Sequence, residues 1–174
     1  LDVALRRRFK FIEMPPQPSL LKIVNFIDNT GEEIPIDLPQ MLKVINQRIE
    51  LLYDRDHTIG HSFFMKLRGR SKIHDLASIF EQEIIPLLQE YFFDDWKRIH
   101  WVLDTFKPAS KKHLWFVRKK DGPDGVMGER WKNDANQSAL TDVWELNVDN
   151  NLKLISDPKA YIGIYKQPTT NESD

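Results

Sequence analysis

The sequence contains no cysteine, so disulfide bonds and thiolate metal sites are excluded. It has no apolar run that approaches the roughly 18 residues of a membrane-spanning helix. It also has no excess of charge, because 25 Lys and Arg residues nearly balance 26 Asp and Glu residues and leave a formal net charge of −1. No global field therefore draws the chain to DNA or to a membrane, and we expect a cytoplasmic protein.

A further absence concerns nucleotide chemistry. No Gly-x-x-x-x-Gly-Lys-Ser/Thr motif occurs anywhere in the 174 residues, and no acidic Walker B strand is visible. Nothing in the chain is therefore expected to cradle the β- and γ-phosphates of a nucleotide. We expect this chain to be inactive as a nucleotide hydrolase on its own, and to bind no cofactor alone.

The composition that remains is that of a globular protein, with 41% hydrophobic residues, ten Phe and five Trp. The strongest periodic pattern predicts a helix whose apolar face recurs at spacings of three and four residues. Its members are Leu38, Leu42, Ile45, Ile49 and Leu52. A second helix is predicted before it, capped by Ser19, with Leu20, Val24 and Ile27 on one face and an end at residues 28–31.

More helices are predicted after the polar break at residues 54–60. A short apolar helix covers residues 62–67 and ends in a loop at residues 68–71. Asp75 opens the next helix, in which Pro86 must cause a kink or mark a fresh first turn. Asp94 and Asp95 are read as helix-capping residues rather than as a catalytic carboxylate pair.

The character changes after residue 108, where strands are predicted. The four candidate strands are residues 113–117, 143–148, 152–155 and 161–165, with turn chemistry at residues 121–125. Residues 9–14 form one more predicted strand, which has no obvious partner and would be unstable alone. Prolines at positions 15, 16 and 18 make the following segment a stiff connector.

The chain is therefore predicted to be mainly α, with a helical bundle at residues 15–107. An orphan strand ends the segment 1–14, a small β-rich appendage covers residues 108–166, and residues 167–174 form a disordered tail.

Three consecutive arginines stand out near the first residue, in the run LDVALRRRF at residues 1–9. An Arg triplet is most often a basic helix end that complements the helix dipole. Here it precedes a strand and a proline-rich connector, and a guanidinium forks well onto phosphate oxygens. The context therefore favours a role at a nucleotide.

This run and its sequel resemble the segment after sensor 1 in AAA+ ATPases, and most of all the McrB family of restriction subunits. Two later blocks strengthen the resemblance. NQRI at residues 46–49 followed by DHTIGHSFF at residues 56–64 is similar to the family's lid motif, and IIPLLQEYFFDD at residues 84–95 is similar to its later lid helix. The resemblance covers about the first hundred residues and implies that the chain is the C-terminal part of a longer protein, ending in a helical AAA+ lid.

The resemblance also implies roles for individual residues. Arg8, directly before Phe9, would be the arginine finger that completes the neighbouring subunit's site, with Arg7 as the next candidate. Gly60, His61 and Ser62 lie where many AAA+ proteins place sensor 2 and would face the nucleotide, although the usual sensor is an Arg.

For the full-length protein, the resemblance implies hydrolysis of GTP, or of ATP as in some relatives, with Mg²⁺. It implies a hexameric ring of identical subunits that works with an McrC-like nuclease. DNA would be bound through domains absent from this chain, in a modification-dependent restriction system.

Several other features have simpler interpretations. His57 and His61 are four residues apart, but the intervening residues form a poor helix and no zincin Glu follows, so no metal site is expected. The aromatic run at residues 91–93 is read first as lid core and second as a contact surface for a neighbouring subunit.

Two alternative functions remain open. A non-enzymatic helical adaptor could bind protein partners through the aromatic surface near Tyr91. A small nucleic-acid binder could use the basic and aromatic residues at 111–120, although a solvated hairpin is the simpler interpretation of that segment.

Overall fold

The computed structural model describes residues 12, 14–120, 143–148 and 153–167. This part of the chain is mainly α, as the sequence predicts, and none of its helices has the length and apolar character needed to cross a membrane. Five α-helices are present in it: α1 (Leu38–Leu52), α2 (Ile73–Ile79), α3 (Ile85–Tyr91), α4 (Trp96–Asp104) and α5 (Pro158–Tyr165). The strands are β1 (Ile23–Ile27), β2 (Glu33–Asp37), β3 (Arg70–Lys72), β4 (Val117–Lys119) and β5 (Trp144–Leu146).

Helix α1 confirms the strongest sequence pattern. The Asp37 carboxylate caps its first turn by accepting a hydrogen bond from the Gln40 backbone N–H at 2.9 Å. The predicted apolar face is buried, and Leu42, Ile45 and Ile49 are each fully inaccessible to solvent. This face anchors the core to which the other elements are added.

A π-helical turn at Phe80–Ile84 separates helices α2 and α3. Of the two alternatives for Pro86, a kink or a fresh first turn, the structure shows the second, because Pro86 lies in the first turn of α3, where its missing N–H costs least. Asp95 caps α4 by accepting from the Arg98 backbone N–H at 3.1 Å, which confirms the capping interpretation for that residue. Asp94 instead adopts a left-handed conformation with φ of 59°.

The helix predicted from Ser19 is wrong, because this segment forms a strand after one 3-10 turn at Pro18–Leu20. β1 pairs antiparallel with β2 and parallel with β3, giving the sheet order β2-β1-β3. Burial in β1 alternates, with Val24 and Phe26 inside, so a period of two residues fits better than the helical spacing. The loop predicted at residues 68–71 is also wrong in its second half, where β3 begins.

Two predictions in the C-terminal third are wrong. Residues 161–165 belong to helix α5, because Asp157 caps it by accepting from the Lys159 backbone N–H at 2.8 Å and Pro158 occupies its first position. Of residues 113–117, the first two end a 3-10 segment, Ala109–Leu114, and the strand β4 begins only at Val117. β4 pairs antiparallel with β5, which lies inside the predicted strand 143–148.

The other predicted strand near the C-terminus is reduced to a single bridge between Val148 and Leu154. Two further expectations, the turn at 121–125 and the tail beyond residue 167, lie outside the described residues. Of the orphan strand at 9–14, the structure describes Ile12 and Met14 alone, without assigning either to a strand.

The C-terminal elements share one hydrophobic core with the helical bundle. Phe116 stacks on Phe80 with ring centroids 5.4 Å apart, and Tyr161 meets both rings edge-on at 5.1 and 5.2 Å. Tyr165 adds a polar contact, because its hydroxyl oxygen accepts from the Asp37 backbone N–H at 3.1 Å. Residues beyond 108 therefore complete the core of the bundle, while the predicted domain boundaries themselves remain predictions.

A buried carboxylate at the end of α4 joins the bundle to these C-terminal elements. The Asp104 carboxylate is fully buried and accepts from Lys107 Nζ at 2.6 Å, from the Phe116 backbone N–H at 3.0 Å and from the Val117 backbone N–H at 3.0 Å. His100 Nδ1 lies 3.3 Å from Asp104 Oδ2 and 2.9 Å from the Val117 carbonyl oxygen, to which it can donate. The Lys107 ammonium also sits 3.9 Å above the centre of the Phe116 ring.

The pKa values of Asp104 and Lys107 are both lowered, each for a different physical reason. Burial alone would raise the pKa of Asp104, but the Lys107 cation, His100 and the backbone donors outweigh burial and lower it. Burial lowers the pKa of Lys107 to about 8, although Asp104 pulls it upward. The lowered pKa of Asp104 stabilises the fold above its ordinary value of 3.8, and that stabilisation is lost as the pH falls through the folded-state value.

We predict that Lys107→Met lowers the free energy of unfolding by about 3 kcal/mol, because it leaves a buried carboxylate without its cation. Urea unfolding at pH 7, followed by circular dichroism, measures the change. Lys22→Met is the matched control, since Lys22 is exposed. Its effect should stay within about 0.5 kcal/mol. Equal unfolding midpoints for the two variants would contradict the structural role of the pair.

Candidate functional site

A cleft of about 830 Å³ lies between the connector and the bundle. One wall is the proline-rich segment from Met14 to Pro18, together with Leu20. The opposite wall is a polar stripe of α1 followed by the loop and turn after it. The residues of that wall are Lys43, Asn46, Gln47, Glu50, Arg55, Asp56, Thr58, Gly60, His61 and Ser62.

The loop that follows α1 is fixed by one buried side chain. Asn46 Oδ1 accepts from the Ile59 backbone N–H at 2.7 Å, and Asn46 Nδ2 donates to the Ile59 carbonyl at 2.9 Å. Ile59 itself is fully buried, so both of its backbone groups need these partners. Asn46 thereby makes with the Ile59 backbone the two hydrogen bonds that a neighbouring strand would make. It also fixes the position of Gly60, which follows Ile59.

Gly60, His61 and Ser62, predicted from sequence to face a nucleotide, lie together in the wall of this cleft. The helix that was expected to begin here is a 3-10 turn of only four residues, His61–Phe64, so the expectation of a helix over residues 62–67 is wrong. A turn this short has a small dipole, and the site must therefore act through individual hydrogen-bonding groups.

His61 makes one defined contact in the described part of the chain. Its Nδ1 atom accepts a hydrogen bond from the Gln17 backbone N–H at 3.1 Å, across the cleft from the connector. A neutral imidazole whose Nδ1 accepts carries its proton on Nε2, so the second nitrogen is a donor. Gly60 has an ordinary extended backbone with φ of −69°, and a Cβ atom added there would meet only Ser62 Oγ, at 3.4 Å.

His57, the other histidine of the motif, has a different environment. Its Nδ1 lies 2.6 Å from Asp54 Oδ1, and its ring meets Tyr53 and Tyr91 edge-on at 4.4 and 5.0 Å. The hydrogen bond from His57 is the main cause that lowers the pKa of the exposed Asp54 carboxyl. Within the described ranges, no group of three or more His, Asp or Glu side chains could hold a metal ion.

The aromatic run divides between core and surface. Phe92 is 2% exposed, whereas the next residue, Phe93, is 81% exposed and adopts a left-handed backbone with φ of 51°. Asp94 follows with φ of 59°, and its N–H bonds to the Gln89 carbonyl at 2.9 Å, which ends the helix. The core interpretation therefore holds for Phe92, and Phe93 projects into solvent.

The basic segment at residues 111–120 contains the end of the 3-10 segment and the strand β4, which pairs with β5. Phe116 is buried in the core, and Trp115 Nε1 donates to the Lys107 carbonyl at 3.3 Å. Arg118 pairs with Glu145 on the neighbouring strand at 2.9 Å. The aromatic rings of this basic segment are used in packing, which leaves little ring surface for stacking on nucleic-acid bases.

The predicted arginine finger, Arg8, and its neighbour Arg7 lie outside the described residues. Sequence reasoning missed two participants in the cleft, Asn46 and the Gln17 backbone amide. The signal for Asn46 was present, because a polar side chain follows Ile45 on the buried side of the amphipathic helix α1. No residue type in the sequence indicated that the backbone amide of Gln17 would take part.

We predict that Asn46→Ala lowers the free energy of unfolding by about 2–3 kcal/mol, because it leaves two buried backbone groups of Ile59 unpaired. Hydrogen exchange at the Ile59 amide should accelerate with it. Gln47→Ala is the control, since Gln47 is the exposed neighbour on the same helix. Slow exchange at Ile59 in the Asn46 variant would show that the loop is held by something else.

Comparison with known proteins gives two matches to this part of the chain. Residues 37–100 match the family model described as McrB, alpha-helical lid domain. A curated relative, the "Type IV methyl-directed restriction enzyme EcoKMcrB subunit" of Escherichia coli (strain K12), is 36% identical over 110 residues. That alignment covers 58% of this chain and 24% of the relative, so the chain spans about a quarter of the relative's length.

The matched segment contains α1, the Asn46-anchored loop, the residues Gly60 to Ser62 and all of α2 and α3. It therefore includes one whole wall of the cleft. Residues 37–100 of this chain are therefore similar to the α-helical lid domain of McrB, and the chain is similar over 110 residues to a subunit of a methyl-directed restriction enzyme.

Proposed function

We propose that this chain is the lid-bearing C-terminal part of an McrB-like NTPase subunit, in a cytoplasmic restriction system that acts on modified DNA. The lid would close over a nucleotide whose phosphates are cradled by a core preceding residue 1. The nucleotide would be GTP or, as in some relatives of the family, ATP. The proposal rests on the resemblance to McrB together with the site described above.

One observation carries the proposal: the three residues at the sensor-2-like position share a cleft of about 830 Å³ with the connector. That volume lies within the range of about 300–1,000 Å³ typical of small-ligand sites. The connector follows the arginine run in the sequence, and in this proposal the core that would carry that run lies next to the cleft. A ligand held by that core would meet the lid at Gly60, His61 and Ser62.

The cleft offers individual polar groups for an anionic ligand. His61 can donate through Nε2–H, Ser62 through its hydroxyl, and Lys43 supplies an exposed ammonium on α1. Glu50 and Asp56 bring negative charge to the same walls, so the cleft is mixed rather than uniformly basic. The proposal gives this chain no Mg²⁺ ligand, and Mg²⁺ would enter with the nucleotide.

The arginine finger extends the proposal to an assembly. Arg8, or Arg7, would act on the nucleotide of the adjacent subunit, which requires a ring of copies, of six by analogy with AAA+ motors. The ring would cooperate with an McrC-like nuclease partner and reach DNA through domains outside this chain.

In the full-length protein, Arg8→Ala should reduce nucleotide hydrolysis by about 10³-fold, because a finger neutralises charge that develops on the γ-phosphate. Binding of GTPγS should change by less than about twofold, since the ground state needs this contact less. Arg8→Lys is the companion variant, which keeps the charge and loses the planar fork. Turnover at the wild-type rate in Arg8→Ala would reject the finger assignment.

Gly60→Ala tests the lid side of the same site. Because Gly60 has an unstrained φ of −69° and open space around its Cβ position, the variant should fold with unchanged or slightly higher stability. It should weaken GTPγS binding by about tenfold in the full-length protein if a phosphate approaches the backbone here. Thermal unfolding and equilibrium binding measure the two effects. Unaltered binding would move the nucleotide away from this wall.

A further inference from the structure

The connector has a single place at which its backbone can donate a hydrogen bond. Pro15, Pro16 and Pro18 lack a backbone N–H, so Gln17 supplies the only one between residues 15 and 18. That one donor is given to His61 Nδ1 at 3.1 Å. The Gln17 side chain takes no part in this contact.

The acceptor side of this contact belongs to the rigid part of the lid. His61 is two residues beyond Ile59, whose backbone is held on both sides by Asn46 at 2.7 and 2.9 Å. Phe64, at the end of the same turn, is fully buried in the core. The hydrogen bond therefore attaches the connector to His61, whose position is fixed by the bundle through Ile59 and Phe64.

The same hydrogen bond determines which nitrogen of His61 can act in the cleft. With Nδ1 accepting, the proton lies on Nε2, which has no hydrogen-bond partner among the described residues. A neutral N–H donor suits a phosphate oxygen, and the bond becomes charge-assisted when the acceptor is anionic. Loss of the Gln17 contact would remove the constraint that keeps the proton on Nε2.

We propose that His61 is a two-sided latch that links the connector to the nucleotide. Its Nδ1 holds the Gln17 amide, and its Nε2–H donates to a phosphate oxygen of the ligand in the cleft. Binding of the nucleotide and closure of the connector onto the lid then reinforce each other, as linkage requires. This inference rests on the proposed function, and it adds a positioning role that the sensor-2-like position alone does not imply.

Two substitutions separate the two nitrogens. In His61→Asn, the side-chain oxygen overlaps the place of Nδ1, so the variant keeps an acceptor for Gln17 and loses the distal donor. In His61→Gln, the terminal amide reaches the place of Nε2, so the variant keeps a distal donor and loses the near acceptor. Gln17→Ala is the matched control for the connector, because it retains the backbone N–H.

The first readout is amide hydrogen exchange at Gln17 in the 174-residue chain, measured by NMR. Exchange should be slow in the wild type, in Gln17→Ala and in His61→Asn, and about tenfold faster in His61→Gln, since only that variant lacks the acceptor. Equal exchange in all four proteins would overturn the latch. The ¹⁵N shifts of the His61 ring report its tautomer, and a proton on Nδ1 would overturn it as well.

The second readout is binding of GTPγS and of ATPγS, each with Mg²⁺, to the full-length protein. His61→Asn should weaken the binding of the preferred nucleotide by about tenfold or more, because one charge-assisted hydrogen bond is lost. In the wild type, the nucleotide should slow exchange at Gln17 further, and in His61→Asn this added protection should be absent. Wild-type affinity together with full added protection in His61→Asn would overturn the coupling.

The outcomes also separate this inference from the proposed function. If neither nucleotide protects the amides of residues 58–62, the cleft is not a nucleotide site and the proposed function fails with the latch. If a nucleotide protects those amides but leaves Gln17 exchange unchanged, the proposed function stands and the latch is rejected.

Discussion

The buried carboxylate of Asp104 is the constraint on which the rest of this structure depends. A carboxylate with no exposed surface is tolerated only when its oxygens are satisfied, and Asp104 takes its donors from Lys107 and from the backbone of Phe116 and Val117. These donors come from two segments separated by the 3-10 turn, so the carboxylate fixes the path of the chain after α4. The path then brings Phe116 against Phe80 and Tyr161. Gly163 leaves room for this arrangement, because a Cβ there would lie 3.0 Å from Lys107 Cγ.

Contacts on both sides of helix α1 hold the α1 wall of the cleft in place. Helix α1 is fixed on one side by Arg48, whose Nη1 donates to the Val102 carbonyl at 2.6 Å and whose guanidinium lies 4.4 Å from the centre of the Phe106 ring. Burial lowers the pKa of this arginine to about 10, which leaves it charged at neutral pH. On the other side, Asn46 fixes the loop to Ile59. Since α1 is held by both contacts, the residues of Gly60 to Ser62 are positioned by the core rather than by the loop itself.

The sequence predicted the parts of the fold that follow from one strong period or one local cap. Helix α1, the fresh turn at Pro86 and the cap at Asp95 depend on neighbouring residues, and each was recognised. The strand β1 was missed because Leu20, Val24 and Ile27 also satisfy a helical spacing, and only pairing with β2 and β3 decides between the two periods. Helix α5 was missed although Asp157 and Pro158 form a good start, because its apolar residues were read as a strand. At the site, Gly60 to Ser62 were named from the resemblance to AAA+ lids, and no pattern of residue types reveals a contact made by the backbone of Gln17.

In the proposed function, the lid would move relative to its core at the connector rather than within the bundle. The bundle and the C-terminal elements share one hydrophobic core, so bending within them would expose apolar surface and unpair Asp104. The connector has no such cost, because three of its four residues between 15 and 18 are prolines that make no backbone N–H bond. Its stiffness also means that a displacement at one end is carried to the other rather than absorbed. In the proposed function, the hydrogen bond between Gln17 and His61 would bias the position of the whole lid, and a ligand that engages His61 would act at that same point.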